Sequence, residues 1–232
     1  MKIAETFSHR NGLDILESPN FAASFHEFRE VLRGLPPYRS AAVKKTSPKH
    51  IIDPGSMNRW LDDQLAVRRD WDWHPLIIEV DPEDKTHNSQ LRSDFRKDRI
   101  EVEVQFGNVA RYAYDVYKMA ISLALQNADV GLMVVCTKKF SDILGGNIAY
   151  YERVVRELER SRLTLIVPLV VLGIEPDNWI AERYPPLSEA PTTIAADINK
   201  ARKARGQAEV PPHLADDELT LEELRSLAQR VA

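Results

Sequence analysis

Two apolar runs, Val130 to Cys136 and, with Thr164 its one polar residue, Leu163 to Leu172, constrain this chain more than any other feature. A strand with one wet face alternates polar and apolar residues, so a run without that alternation belongs to a strand covered on both faces. Between the runs, Ala149 to Leu158 carries apolar residues at helical spacing. Ahead of them, Val109 to Gln126 does the same over the longest such stretch in the chain. Helix, buried strand, helix, buried strand is the order that builds an α/β fold, here a mixed central β-sheet flanked by helices. With 232 residues, 44% of them hydrophobic and 28% charged, the chain can bury a sizeable core, and its composition excludes a disordered or collagen-like polymer.

The same inventory narrows the function classes. No apolar stretch reaches the roughly 18 residues of a membrane helix, and the opening residues lack a basic segment followed by an apolar one. The expectation is a cytoplasmic protein without a membrane partner. A single cysteine, Cys136, excludes an intrachain disulfide and a cysteine-built zinc cage, which leaves oxygen-ligated metals. The formal charge of −4 is unevenly spread: from Val210 to Ala232 five acids face two bases, so this tail holds −3 of it. Bases cluster at Arg96-Lys97, Lys138-Lys139, Arg153 to Arg162 and Lys200 to Arg205, each a phosphate-facing stripe or an ordinary solvated face.

Local signals give the remaining elements. Lys2 to Phe7 reads as a strand and Asn20 to Leu32 as a helix capped by Asn20. Ser56 reads as the cap of a helix over Met57 to Val67, after a polar loop from Tyr38 to Gly55. Pro75 to Val80 reads as a strand or a helix end. Gln90 to Phe95 and Ile100 to Phe106 read as two hairpin arms around Lys97-Asp98-Arg99, and Thr137 to Asn147 as a loop. Beyond Pro176 the chain turns proline-rich, and Thr220 to Glu223 opens a last amphipathic helix with a capping box. Residues 1–176 are thus expected to form the main domain and 177–232 a C-terminal extension.

Chemistry concentrates in the second hairpin arm. Period-two alternation puts Glu101, Glu103 and Gln105 on one face and Val102, Val104 and Phe106 on the other, which is the core face. Like charges on adjacent same-face sites repel unless a cation or a proton lies between them. Asp94, nine residues before Glu103, comes from the facing arm and can close on the same point. Two carboxylates there suit Mg²⁺, which takes one or two from protein and keeps several waters. Pattern alone equally allows an edge hairpin with one solvated face. Glu79, on the apolar run upstream, is a possible extra acid.

Asp94-Phe95, Lys97-Asp98-Arg99 and Glu103-Val104-Gln105-Phe106-Gly107 together resemble the active-site hairpin of the PD-(D/E)XK nucleases. The resemblance is to the BglII and BstYI branch of type II restriction endonucleases, where E-x-Q replaces the usual E-x-K. It extends to Met1-Lys2-Ile3, Ser8-His9, Asn11-Gly12-Leu13, Asp53-Pro54, Ala149 to Glu152 and Pro168 to Val170, and covers roughly Met1 to Pro176. It implies a Mg²⁺-dependent endonuclease that cuts double-stranded DNA at a palindrome with a GATC core. It further implies a homodimer, with Val109 to Gln126 and Ala149 to Leu158 at its seam; the sequence alone assigns their apolar stripes to the core.

On that resemblance Asp94, Glu103 and the main-chain carbonyl of Val104 hold the metal. Gln105, an amide and no base, positions the attacking water. Asn108 stands where members of the branch carry asparagine or lysine and is the first candidate to read a base; it can equally cap the following helix. Lys138, Lys139, Ser141 and Asn147, on the loop after a buried strand, are further candidates for DNA contact. Competing readings are another nuclease of this fold, serving repair or a mobile element, and a catalytically inactive DNA-binding module.

Overall fold

Residues 1–40, 52–79, 90–145, 147–161, 166–192 and 195–210 are described by the computed structural model of the chain, and the helix expected from Thr220 lies outside them. The two apolar runs become the centre of a six-stranded sheet. β7 (Val130–Cys136) is buried at every residue, and β8 (Leu169–Glu175) at all but its last. They run parallel to each other, and β7 is parallel to β6 (Ile100–Gln105). β1 (Lys2–His9) closes one edge antiparallel to β8. β5 (Phe95–Lys97) and then the two-residue β2 (Asp72–Trp73) continue beyond β6, both antiparallel.

Helices cover both faces. On one, α1 (Gly12–Leu16), α2 (Ala22–Gly34), α3 (Pro54–Asp62) and α5 (Lys138–Leu144) pack on Ile100, Val102, Leu132, Val134 and Leu172 through Leu16, Phe28, Leu61 and Phe140. On the other, α4 (Arg111–Ala124) and α6 (Tyr151–Ser161) set Met119, Val154 and Leu158 against Met133, Val135 and Val171. Both apolar stripes therefore face their own sheet, as the sequence alone assigns them. Beyond Pro176, Tyr184 and Ile198, the latter on α7 (Ala195–Ala204), join the first of these cores. Arg202 of α7 pairs with Asp72 at 3.0 Å.

Several boundaries differ from expectation for identifiable reasons. Asp53, not Ser56, caps α3: its Oδ2 accepts from the Ser56 N–H at 2.7 Å, and Pro54 fits the first turn, where no N–H is needed. α2 begins at Ala22 without a side-chain cap, because Asn20 lies in the turn after Ser18. The anticipated loop after β7 is helix α5. Thr137 Oγ1 accepts from the Phe140 N–H at 3.3 Å, and Phe140 and Leu144 bury one face.

The hairpin also divides. Only Phe95–Lys97 pairs with β6, while β4 (Gln90–Arg92) joins β3 (Leu76–Glu79) in a separate two-stranded sheet. The tip is a two-residue turn with Asp98 at φ 47° and Arg99 at φ 64°, the left-handed pair that matches the twist of a tight hairpin. It is anchored on both sides. Ser24 donates to Asp98, Arg99 pairs with Asp129 at 2.6 Å, and Lys97 donates to Glu27 and to the Arg69 carbonyl, each at 2.8 Å.

α1 crosses β8 closely enough to require glycine. A Cβ at Gly12 would lie 2.8 Å from the main-chain atoms of Leu169, and a backbone neighbour cannot swing aside. Gly12→Ala should therefore destabilise the fold by about 2 kcal/mol, as overpacking does. Urea unfolding of the two proteins measures the difference.

Candidate active site

The site forms where the sheet splits. β5 stays beside β6 only as far as Phe95, opposite Val102, so β6 runs on without a strand partner on that side. Asp94 fills the gap with its side chain: Oδ2 accepts from the Val104 N–H at 2.6 Å. In an extended strand the N–H and C=O of one residue point to the same side, so the Val104 carbonyl faces the Asp94 side as well. A cleft of about 320 Å³ opens here, lined by Asp94, Glu103, Val104 and Gln105 from the hairpin, Asp62 from α3 and Asp115 from α4.

The polar face of β6 is not solvated: Glu101, Glu103 and Gln105 are 0%, 2% and 7% exposed. α4 covers them with a polar stripe of its own. Its Asp115, Lys118 and Ser122, spaced by three and four residues, share one helix face. Because α4 runs back along β6, the two stripes pair in reverse order. Gln105 Nε2 donates to Asp115 at 2.9 Å, Lys118 Nζ to Glu103 Oε2 at 2.9 Å, and Ser122 Oγ to Glu101 at 2.9 Å. Arg96 completes the Glu101 end with an ion pair at 2.6 Å. Asp115 and Lys118 escape a reading that treats α4 as an apolar helix. Their signal in the sequence is a period-matched polar stripe on a helix that directly follows a strand with three polar residues on one face.

Burial pushes the Glu103 carboxyl well above the usual carboxylate range. Lys118 opposes the shift, and Asp94 and Asp115 add to it. Lys118 is itself fully buried, with Nζ 2.8 Å from Glu103 Oε1 and 3.2 Å from Asp115 Oδ1. Its Nζ thus reaches both oxygens of Glu103, with Oε2 the hydrogen-bond acceptor at 2.9 Å. Two carboxyl groups, Asp94 and Glu103, lining one cleft suit a hard cation. Among the described residues no three His, Cys, Asp or Glu side chains converge into a metal cage. Two carboxyl groups are what an ion that keeps much of its water shell takes from a protein.

Gln105 is held at both ends of its amide, with Oε1 accepting from the Gly107 N–H at 2.9 Å while Nε2 donates to Asp115. Asn108 is not the cap of α4, a place taken by Ala110; it forms the turn ahead of it, its Oδ1 accepting from the Ala110 N–H at 3.0 Å and its carbonyl from the Arg111 N–H at 3.0 Å, and it stays exposed next to Gly107, which lines the cleft. Glu79 lies on β3, accepts from Gln90 Nε2 at 2.8 Å and is not among the residues that line the cleft.

Lys138, Ser141 and Asn147 line a second, smaller hollow of about 170 Å³ with Asp142, Tyr150 and Arg153. Lys138 pairs with Asp142, Ser141 Oγ donates to the Lys138 carbonyl at 2.8 Å, and Lys139 sits 3.8 Å above the Trp179 ring. The two hollows are joined through the backbone. Val109 N–H donates to the Asn147 carbonyl at 2.7 Å, and Ala149 N–H to the Gly107 carbonyl at 3.2 Å.

The profile of the family described as restriction endonuclease BglII/BglIII matches residues 4–174. The chain belongs to this family. It is accordingly a type II site-specific deoxyribonuclease by class. Two solved structures share its fold. The crystal structure of restriction endonuclease BglII complexed with a DNA 16-mer superposes with a TM-score of 0.57 at 18% identity, over 75% of this chain and 79% of that one. Free BglII gives 0.54 at 21% identity, over 75% and 80%. No curated protein sequence matches the chain. No helix among the described residues is long and apolar enough to cross a membrane.

Asp62 offers a test of the cleft's electrostatics. Burial pushes its carboxyl up to about 7, although Trp73 Nε1 donates to it at 3.1 Å and Arg59 lies near. The folded state thus binds a proton more tightly than the unfolded one, and stability is lost as pH rises from about 4 to about 7. Asp62→Asn keeps an acceptor for Trp73 and removes the charge. In EDTA it should raise the melting temperature by several degrees at pH 8 and by clearly less at pH 5, where the folded wild type already carries the neutral acid.

Proposed function

We propose that this chain is a Mg²⁺-dependent restriction endonuclease that hydrolyses both strands of double-stranded DNA at a short palindrome with a GATC core, working as a homodimer in the cytoplasm. The observation that carries the reading is the meeting of Asp94 and Glu103 beside Val104, at a cleft where β5 parts from β6.

Asp94, Glu103 and the Val104 carbonyl hold the ion. When bound, Mg²⁺ acidifies a coordinated water and draws charge from the scissile phosphate. Gln105 cannot take a proton. With one N–H committed to Asp115, its second N–H is the group that orients the water. Glu79, tied to Gln90 on the small sheet, is left outside this donor set.

DNA lies across both hollows in this reading. Asn108, on the lip of the first, reads a base edge in the major groove, as an asparagine amide does with adenine. Lys138, Ser141 and Asn147 on the second contact phosphates and bases, and Lys139 adds a backbone charge beside Trp179. That a BglII structure holds a DNA 16-mer supports duplex DNA as the partner. The GATC core and the two-fold pairing through α4 and α6 rest on the resemblance of the Asp94 to Gly107 segment. A palindrome cut on both strands calls for two sites related by a dyad.

Digestion of unmethylated phage DNA in Mg²⁺, beside Asp94→Ala and Glu103→Ala proteins, tests the reading. The wild type should give discrete fragments whose ends share one palindrome, and both variants should leave the DNA intact. A smear would mean a nuclease of this fold without site specificity; tight binding without cutting would mean an inactive DNA-binding module.

A further inference from the structure

The strand that carries the site has no lysine of its own: Gln105 stands in the E-x-Q position, yet a fully buried ammonium reaches the same carboxylate from α4. Burying a lysine is costly, and an apolar side chain of similar length would pack at this position without that cost. What the lysine does there is read from its contacts. Nζ lies 2.8 Å and 2.9 Å from the two oxygens of Glu103 and 3.2 Å from Asp115 Oδ1, so it fixes the plane of the Glu103 carboxylate and ties it to α4. Asp115 in turn holds the Gln105 amide, whose other end is held by Gly107. Three carboxyl groups, those of Asp94, Glu103 and Asp115, thus gather around the single ammonium of Lys118.

We propose that Lys118 and Asp115 are positioning residues of the endonuclease site: Lys118 orients Glu103 and offsets its excess negative neighbours, and Asp115 aims Gln105. The inference rests on the function proposed above. It assigns two helix residues to a site that the sequence motif confines to the hairpin. A purely structural ion pair would change stability alone; a positioning pair sets how well the site holds its cation.

The test uses the full chain with Lys118→Met, Lys118→Gln and Lys118→Arg. Mn²⁺ serves as the probe, and the electron paramagnetic resonance signal of the free ion is recorded in the presence of a non-hydrolysable duplex that carries the cleavage site. Single-turnover cleavage against Mg²⁺ concentration and thermal melting are measured alongside. Lys118→Met should weaken Mn²⁺ binding and raise the Mg²⁺ concentration for half-maximal cleavage by roughly 10- to 100-fold, the usual loss when an outer partner of a metal ligand is removed. Lys118→Arg should recover most of both. If Lys118→Met does not melt cooperatively, Lys118→Gln, which keeps a donor but no charge, takes its place with the same expectation. A folded Met or Gln variant with wild-type Mn²⁺ affinity and Mg²⁺ dependence overturns the inference while leaving the nuclease reading intact. A wild type that neither cuts nor binds Mn²⁺ overturns both.

Discussion

The interaction on which the rest depends is the pairing of two polar stripes inside an otherwise apolar sandwich. β6 is a central strand, and a central strand flanked by helices is buried on both faces whatever its sequence. Three of its residues nevertheless carry polar side chains, and each unpaired one would cost free energy on burial. α4 resolves the conflict by presenting Asp115, Lys118 and Ser122 at the matching heights. Helical and strand periods coincide for only a few residues. The polar contact is therefore confined to one face of α4, from Asp115 to Ser122, and Val116 and Met119 on the neighbouring face remain in the apolar core.

The position of the cleft follows from strand lengths. β5 has three residues and β6 has six, so the longer strand must expose backbone groups where the shorter one turns away. An unpaired main-chain N–H inside a fold demands an acceptor, and Asp94 supplies it in place of the missing strand. The carboxylate thereby completes the sheet and delivers a negative charge beside Glu103. The anchoring of the hairpin tip by Ser24, Glu27 and Asp129 keeps that short strand in register.

Much of this was legible in the sequence because the signals are local. Long apolar runs announced β7 and β8, and alternation put Glu103 and Gln105 on one side of β6. What escaped needed partners distant along the chain. The polar face of β6 reads as solvated until a helix that begins several residues later is folded over it. Glu79 reads as an acid near the site until β3 takes β4 for a partner and carries it into a separate ribbon. The loop after β7 became α5 because Thr137 caps it and Phe140 finds a pocket, a tertiary reward that outweighs the polar composition of Lys138, Lys139 and Asp142. The hairpin motif itself proved to be half scaffold: Lys97, Asp98 and Arg99 hold the tip, while Asp94, Glu103, Val104 and Gln105 meet at the cleft.

On the proposed reading, Asn108 couples recognition to chemistry. It follows β6 by three residues, forms the turn that leads into α4 and bridges to Ile148 at the edge of the second hollow. A base-reading group there shares its backbone with the catalytic strand on one side and with the helix carrying Asp115 and Lys118 on the other. On the proposed reading, no flexible segment separates the residue that reads a base from those that hold the ion. A shift of the DNA by one step moves the scissile phosphate out of line with Asp94 and Glu103. Discrimination between target and non-target sequences then lies in alignment at the ion site as much as in the energy of the base contacts themselves.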